Sequence, residues 1–160
     1  VYTPEGVYFA FPFAVPEPEF RVQIADAVMR PGRDQLPLSC FDFYSIQHWA
    51  DVAGAGFGIS WAPLDAPLVV LSDLNVYKWA DKLVFDRGHI YSWVMNNYWY
   101  TNFRAGQEGE LTFRYRLTTY AGKHDSVRTT RFAWQLFHPL LPVWLNSAPQ
   151  PEAPASYGLV

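Results

Sequence analysis

Carboxylates and histidines are the side chains of this sequence with the widest chemical use. Hydrolysis of a glycosidic bond ordinarily requires two carboxylates flanking the sugar, one as acid and one as base or nucleophile. Several carboxylates fall in predicted loops or turns, but no spacing separates a catalytic pair from solvated charges. We therefore assign no catalytic residue among Asp34, Asp42, Asp65, Asp73 and Glu108.

The spacing of histidines gives equally little support for metal or nucleophile chemistry. His48 and Asp51, three residues apart, are the pair that we consider nearest to a metal-ligand pattern, and we interpret them as a surface or interface histidine beside a solvated carboxylate. A zinc site needs three or four converging ligands. His124 has no nucleophile near it in sequence, although a Ser-His-Asp triad is defined by geometry and not by sequence order. We assign no metal ligand and no cofactor to this chain.

A run of amides and aromatic rings, NNYWYTN at residues 96–102, points to recognition of a sugar. Rings stack on the apolar face of a pyranose, and amides hydrogen-bond its hydroxyl groups. The alternative is that the rings pack on a neighbouring strand or domain and the amides close a bulge. From this run we select Asn97, Trp99 and Asn102 as candidate substrate contacts.

A second set of candidate contacts lies in a predicted exposed loop. Residues 29–37 contain two prolines, a glycine and three charged residues, a composition typical of loops. Loops on a rigid scaffold often carry binding residues. Arg33, Asp34 and Gln35 are therefore predicted to contact a ligand at the edge of a cleft.

Composition narrows the classes of partner. The chain has 12 Lys and Arg against 15 Asp and Glu, a net charge of −3 and no basic run, so we expect no nucleic acid. Its apolar stretches are too short to span a bilayer. Cys40, the only cysteine, favours a reducing, cytoplasmic compartment. The start at Val1, without Met or a signal sequence, suggests a piece of a longer protein.

The aromatic content is so high that we expect some aromatic side chains on the surface as well as in the core. Aromatic residues make up 18% of the chain, and half of all residues are hydrophobic. Because Trp and Tyr also carry polar hydrogens, some of these rings should lie near water, a sugar or a neighbouring domain. Self-association through exposed rings is a further expectation.

Short strands separated by turn residues dominate the pattern along the chain. Residues 7–14 are rich in rings, with Pro12 marking an edge strand or a bulge. Glycines at 54, 56 and 58 indicate two antiparallel strands joined across residues 51–56. The apolar run 68–71 predicts a covered strand, and the clearest alternation predicts a half-buried strand over 111–118. Further strands are predicted in three segments: residues 20–24, 41–52 and 90–100.

One helix is predicted near the C-terminal side of these strands. Asp125 or Ser126 can cap its start, and apolar residues then follow at helical spacing as far as Pro139. With about eight strands, the fold class predicted is an all-β-dominated β-sandwich with one C-terminal-side helix. Residues 1–146 form the predicted domain, and residues 147–160 are predicted to be a flexible tail or linker.

Three segments together resemble the C-terminal β-domain of glycoside hydrolase family 38, the α-mannosidases, in its bacterial branch. They are VYFAFPF at residues 7–13, SIQHWADV at 45–52 with GISWAPLDAPL at 58–68, and NYWYTNF at 97–103. Their order and spacing agree with the family over roughly residues 7 to 119, although a complete enzyme of this type is several times longer.

The resemblance implies an accessory role beside a catalytic domain. In the parent enzyme, that other domain would hold a zinc ion and an aspartate nucleophile, which have no counterpart in this sequence. It also implies a whole or partial sandwich related to the galactose-mutarotase-like supersandwich, which packs on the catalytic domain and lines the sugar cleft. The alternatives kept open are an independent carbohydrate-binding module that takes a mannoside, and an enzyme in its own right.

Overall fold

A computed structural model describes residues 3–76, 78, 84–98, 106 and 108–144 of the chain. Within these residues, nine strands precede a single α-helix. The strands are β1 Gly6–Phe13, β2 Glu19–Ile24, β3 Ala27–Met29, β4 Tyr44–Ser45, β5 Ala50–Ala53, β6 Phe57–Pro63, β7 Leu68–Leu71, β8 Gly88–Asn96 and β9 Tyr115–Ala121, and the helix is α1 Ser126–Phe137.

The strands form two antiparallel sheets. The first sheet has the order β1-β8-β7-β4, and the second has the order β3-β2-β5-β6-β9. This arrangement confirms the predicted all-β-dominated sandwich with one helix on the C-terminal side. A relationship to galactose-mutarotase supersandwiches stays a prediction.

The main core fills the space between the two sheets. It includes Val22, Val52 and Trp61 from the five-stranded sheet and Val69 and Ile90 from the four-stranded sheet, and each of these five is fully buried. Alternation along the strands turns every second side chain into this core. The short run β7 is almost wholly buried, as its continuous apolar sequence predicts.

Two features predicted from proline and glycine are confirmed. Pro12 lies in β1, which is an edge strand of the four-stranded sheet, one of the places where a strand tolerates proline. Strands β5 and β6 form an antiparallel hairpin in which Asp51 lies opposite Ser60. The turn of this hairpin contains Gly54 and Gly56, whereas residues 51–53, which were predicted to lie in the connection, belong to β5.

The helix α1 covers the other face of the five-stranded sheet. Asp125 precedes the helix as its N-cap, and its carboxylate accepts from the N–H groups of Val127 and Arg128, so the predicted cap is confirmed. A second apolar cluster joins Ala133 of the helix to Trp49 and Ala62 beneath it. Side chains of β5 and β6 that point away from the main core therefore meet the helix.

Two predicted strands differ from the observed ones. The alternation over 111–118 predicted a strand from Leu111, but β9 begins at Tyr115, because its partner β6 ends at Pro63 and pairs with Tyr115 there. The carboxylate of Asp65 accepts hydrogen bonds from the backbone N–H and the guanidinium of Arg114. The segment 41–52 divides into β4 and β5, which belong to different sheets.

The predicted tail 147–160 lies outside the described residues. In the part of the chain that is described, no helix is long and apolar enough to cross a membrane.

Candidate functional site

The most concentrated polar chemistry in the described residues surrounds the buried carboxylate of Asp51, under the helix α1. Asp51 is fully buried and points from β5 toward the helix. Its Oδ1 accepts from the Tyr120 hydroxyl at 2.7 Å and from His124 Nδ1 at 2.8 Å, while Oδ2 accepts from the Ser60 hydroxyl at 2.8 Å. Three donors thus replace the water that a carboxylate loses on burial.

The Ser60 hydroxyl links this carboxylate to the helix. Because Ser60 uses its only hydrogen on Asp51, it accepts from Thr129 Oγ1 at 3.0 Å. The next helical residue, Thr130, accepts from the indole N–H of Trp49 at 3.2 Å. We call Asp51, Ser60, Tyr120, His124 and Thr129 the Asp51 cluster.

Tyr120 reaches Asp51 from β9 by crossing β6, and a glycine makes this possible. Gly58 lies opposite Tyr120 in the ladder, and a Cβ added at Gly58 would lie 2.2 Å from the Tyr120 hydroxyl oxygen. Burial, with the hydrogen bond to Asp51, raises the pKa of Tyr120 well above its ordinary value. The phenol therefore stays protonated and remains a donor.

His124 is held in one tautomer by the same carboxylate. Its Nδ1 must carry a hydrogen to donate to Asp51, and its ring lies against Trp49 with centroids 5.6 Å apart. Its side chain is 7% exposed, and its Nε2 is buried without a hydrogen-bond partner. A carboxylate on Nδ1 and an unpaired Nε2 are the features of an oriented general base.

Burial limits what this histidine can do chemically. Because Nε2 is buried, a substrate atom cannot reach this nitrogen without movement of the surrounding chain. A cavity of about 530 Å³ lies beside His124, lined also by Arg21, Lys123, Glu17 and Glu19. In the observed geometry the Asp51 cluster serves to fix the helix and the β9–α1 connection on the sheet.

The interpretation of His48 and Asp51 as a surface histidine beside a solvated carboxylate was wrong for Asp51. Alternation along β5 turns Asp51 under the helix, and its histidine partner is His124, 73 positions away. His48 instead bonds the Gln23 side chain at 3.0 Å, and burial lowers its pKa. No local spacing signal reveals the true pair, since the two elements meet only in the folded sheet.

The predicted loop contacts are engaged mainly with their own loop. Asp34 accepts from the guanidinium and the backbone N–H of Arg30, at 2.7 and 2.8 Å, and these bonds lower its pKa to about 2. Gln35 accepts from Gly32 N–H and from the Tyr44 hydroxyl, both at 2.9 Å. Arg33 lines a small cavity of about 260 Å³ beside Phe20 and Phe85.

The other predicted set is only partly described. The side chain of Asn97 bonds to the backbone of the N-terminal segment. Its Nδ2 donates to the Thr3 carbonyl at 2.9 Å, and its Oδ1 accepts from the Glu5 N–H. Trp99 and Asn102 lie outside the described residues. Asn97 follows β8 in the four-stranded sheet, whereas Arg33 follows β3 in the other sheet, and no described hydrogen bond joins the two sets.

Next to Asn97 stands an aromatic group centred on Trp93. Trp93 stacks on Tyr8 with centroids 5.5 Å apart and meets Phe43 and Tyr98 edge-on. The indole N–H of Trp93 and the side-chain oxygen of Asn96 are both buried without a partner. A buried donor and a buried acceptor with unused hydrogen-bonding capacity are uncommon in folded proteins.

The remaining candidate carboxylates have varied environments. Asp42 is 9% exposed, so the interpretation of this residue as a solvated charge was wrong. Asp65 forms an ion pair with Arg114 at 2.7 Å, whereas Asp73 and Glu108 lie exposed. Among the described residues, no group of three or more His, Cys, Asp or Glu side chains is placed to hold a metal ion.

The fold and this geometry define the class of the protein as a β-sandwich domain with a buried polar cluster under one helix. Comparison with protein-family models, with curated proteins and with solved structures finds no significant match.

Proposed function

We propose that the chain is a non-catalytic accessory domain of an α-mannosidase-like glycoside hydrolase, which packs on the catalytic domain of its parent protein. The proposal rests on the resemblance of three sequence segments to that family and on one structural feature, the open side of the sandwich. Zinc and the catalytic carboxylates would belong to the catalytic domain of the parent.

The open side of the sandwich is where the end strands of both sheets lie together. Strand β1 ends one sheet and β9 ends the other, and within the described residues neither pairs on its outer edge. The two strands are neighbours, since the rings of Phe11 and Tyr115 lie 5.0 Å apart. Strand β1 has 8 residues and β9 has 7, so both edges are long.

Apolar side chains flank these two edges. Phe9 is 45% exposed and Leu117 is 46% exposed, while Val7 and Leu111 are each 42% exposed. An exposed edge strand with apolar neighbours is a site for pairing with another chain segment, and isolated soluble domains usually protect such edges. Apolar patches of this kind commonly mark interaction surfaces. These features support docking of the β1/β9 side on a neighbouring domain.

Amide hydrogen exchange tests this docking. The backbone amides of β1 and β9 should exchange more slowly in the full-length parent than in the isolated chain, because the parent covers their outer edges. Phe9→Asp with Leu117→Asp should abolish the added protection. Leu74→Asp is the matched control, because Leu74 is 37% exposed and lies on neither strand. Equal exchange in parent and isolated chain would refute the docking.

A second candidate function is an independent carbohydrate-binding module. The observation that favours it is the aromatic group around Trp93, where the indole N–H and the Asn96 oxygen are buried without a partner. Both atoms are covered in the observed geometry, so a sugar would reach them only after movement of the surrounding chain, and would then stack on partly exposed neighbours such as Tyr8 and Tyr98. Calorimetric titration with methyl α-mannoside and mannobiose tests it. Saturable binding that is lost in Trp99→Ala supports the module, and absence of heat at millimolar sugar removes it.

A further inference from the structure

A groove lies along the exposed side of α1, on a face separate from the β1/β9 side. It encloses about 590 Å³, and its walls include Arg131, Trp134, Gln135, His138 and Leu140. Trp134 stands in the middle of this set and is 47% exposed. Residues 131, 134, 135 and 138 follow helical spacing, so they form one continuous strip along the helix.

Large apolar side chains continue from the groove along the chain that leaves the helix. Leu140 and Leu141 are 82% and 81% exposed, Val143 is 77% exposed and Trp144 is 96% exposed. Of these residues, Leu140 lines the groove with Trp134, and the others follow it closely in the sequence. Tryptophan and arginine in a concave site are the residue types that dominate binding energy at protein interfaces.

Charge distinguishes this surface from the rest of the molecule. Residues 111–144 contain five Lys and Arg against one Asp, in a chain whose net charge is −3. Among the described residues, Lys123, Arg128 and Arg131 form no ion pair, and Arg128 lies over the Tyr120 ring, 4.0 Å from its centroid. Arg116 likewise lies over the Phe132 ring. Lys123 shares a cavity with Glu17 and Glu19, and Arg128 lies near the capping Asp125. Arg131, a wall of the groove, forms no ion pair with a described carboxylate.

We propose that the α1 groove binds an acidic peptide segment of a partner protein, which inserts an apolar side chain beside Trp134 and places a carboxylate against Arg131. The inserted side chain would remove apolar surface of the groove from water, and the carboxylate would complement the positive charge at the rim of the groove. An amphipathic segment that enters a groove through spaced apolar anchors is a common mode of peptide recognition. The proposal is independent of the β1/β9 side, since it uses a different face.

Selection from a phage-displayed library of random peptides tests the proposal, because such a library samples acidic, basic and neutral sequences alike. The chain is immobilised, peptides are eluted, and the enriched sequences are synthesised for calorimetric titration. We expect the enriched peptides to combine Asp or Glu with Leu, Phe or Trp. Their affinity should fall as salt is raised, because charge at the rim is screened.

Variants of the groove decide whether binding occurs there. Arg131→Glu should weaken the selected acidic peptide roughly tenfold or more and should favour a copy of the peptide with Lys in place of Asp and Glu. Trp134→Ala should abolish saturable binding. Arg87→Glu, at an exposed position just before β8 in the other sheet, is the charge-matched control and should leave affinity unchanged.

Three outcomes would overturn the proposal. They are enrichment of neutral or basic sequences, absence of any enrichment, and equal peptide affinity in Arg131→Glu and the unchanged chain. Thermal unfolding of each variant checks that its fold is retained. The side chains of Arg131 and Trp134 are exposed, so we expect their replacement to leave the core intact.

Discussion

The hydroxyl of Tyr120 donates to the Asp51 carboxylate at 2.7 Å across an intervening strand. Tyr120 lies on β9 and Asp51 on β5, so the bond spans two strand spacings, roughly 9–10 Å in the plane of the sheet. Only the absence of a side chain at Gly58 leaves room for the phenol to lie across β6. The relationship ties the edge strand and the helix to the middle of the sheet.

Replacement of Gly58 by alanine tests this crossing. The new methyl group would lie 2.2 Å from the Tyr120 hydroxyl oxygen, so the phenol must move and Asp51 loses a donor. We expect Gly58→Ala to lower the free energy of unfolding by roughly 1–3 kcal/mol. Gly56→Ala is the control, since a Cβ at Gly56 meets nothing within 4 Å. Chemical denaturation measures both, and equal stability of the two variants would contradict the crossing.

Asp51→Ala should be among the most destabilising single changes in the described chain. It leaves the Tyr120 and Ser60 hydroxyls and the His124 N–H buried without their acceptor. Loss of one partner from a buried charged network costs roughly 3–5 kcal/mol. Glu110→Ala, at an exposed position, should change stability by less than about 0.5 kcal/mol. If the two variants had equal urea midpoints, the Asp51 cluster would not contribute to the stability of the fold.

The cap of α1 offers a test confined to the helix. Asp125 accepts from Val127 and Arg128 N–H groups at 2.9 and 3.2 Å. Asp125→Ala should destabilise the chain by roughly 0.5–2 kcal/mol, and Asp125→Ser should restore most of the loss, because serine also caps. Equal thermal unfolding of the alanine and serine variants would argue against the cap.

The ion pair of Arg30 and Asp34 predicts a pH dependence for the loop. Hydrogen bonds from Arg30 lower the folded pKa of Asp34 from 3.8 to about 2. A carboxyl group with a lowered folded pKa stabilises the fold above its unfolded pKa, and this contribution is lost as the pH falls toward 2. Carboxyl-carbon NMR titration should give Asp34 a midpoint near 2. In Arg30→Gln the midpoint should rise toward its ordinary value, and an unchanged midpoint would exclude the pair.

Most of the strands and the helix could be predicted from the sequence, because their formation depends on side-chain patterns, turn residues and caps within each segment. Alternation predicted β2, a continuous apolar run predicted β7, glycine spacing predicted the β5–β6 hairpin, and a capping aspartate predicted α1. The predicted ends of a strand were wrong where pairing with a neighbouring strand determines them. Tyr115 begins β9 because Pro63 ends β6, and nothing within residues 111–114 carries that information.

The Asp51 cluster could not be predicted for the same reason. Its members come from β5, β6, β9, the segment after β9, and α1, and only the sheet register brings them together. One signal is nevertheless present in the chain. Asp51 stands between Ala50 and Val52 in a strand that is buried on both faces, and a charge in such a position requires partners.

Turnover of 4-nitrophenyl α-mannoside tests the central claim most directly. The full-length parent should hydrolyse this substrate, the isolated chain should not, and Phe9→Asp with Leu117→Asp in the parent should lower its rate by weakening domain packing. Leu74→Asp in the parent should leave the rate unchanged. A parent that is inactive on α-mannosides, or an isolated chain that turns them over, would contradict an accessory role in an α-mannosidase-like enzyme.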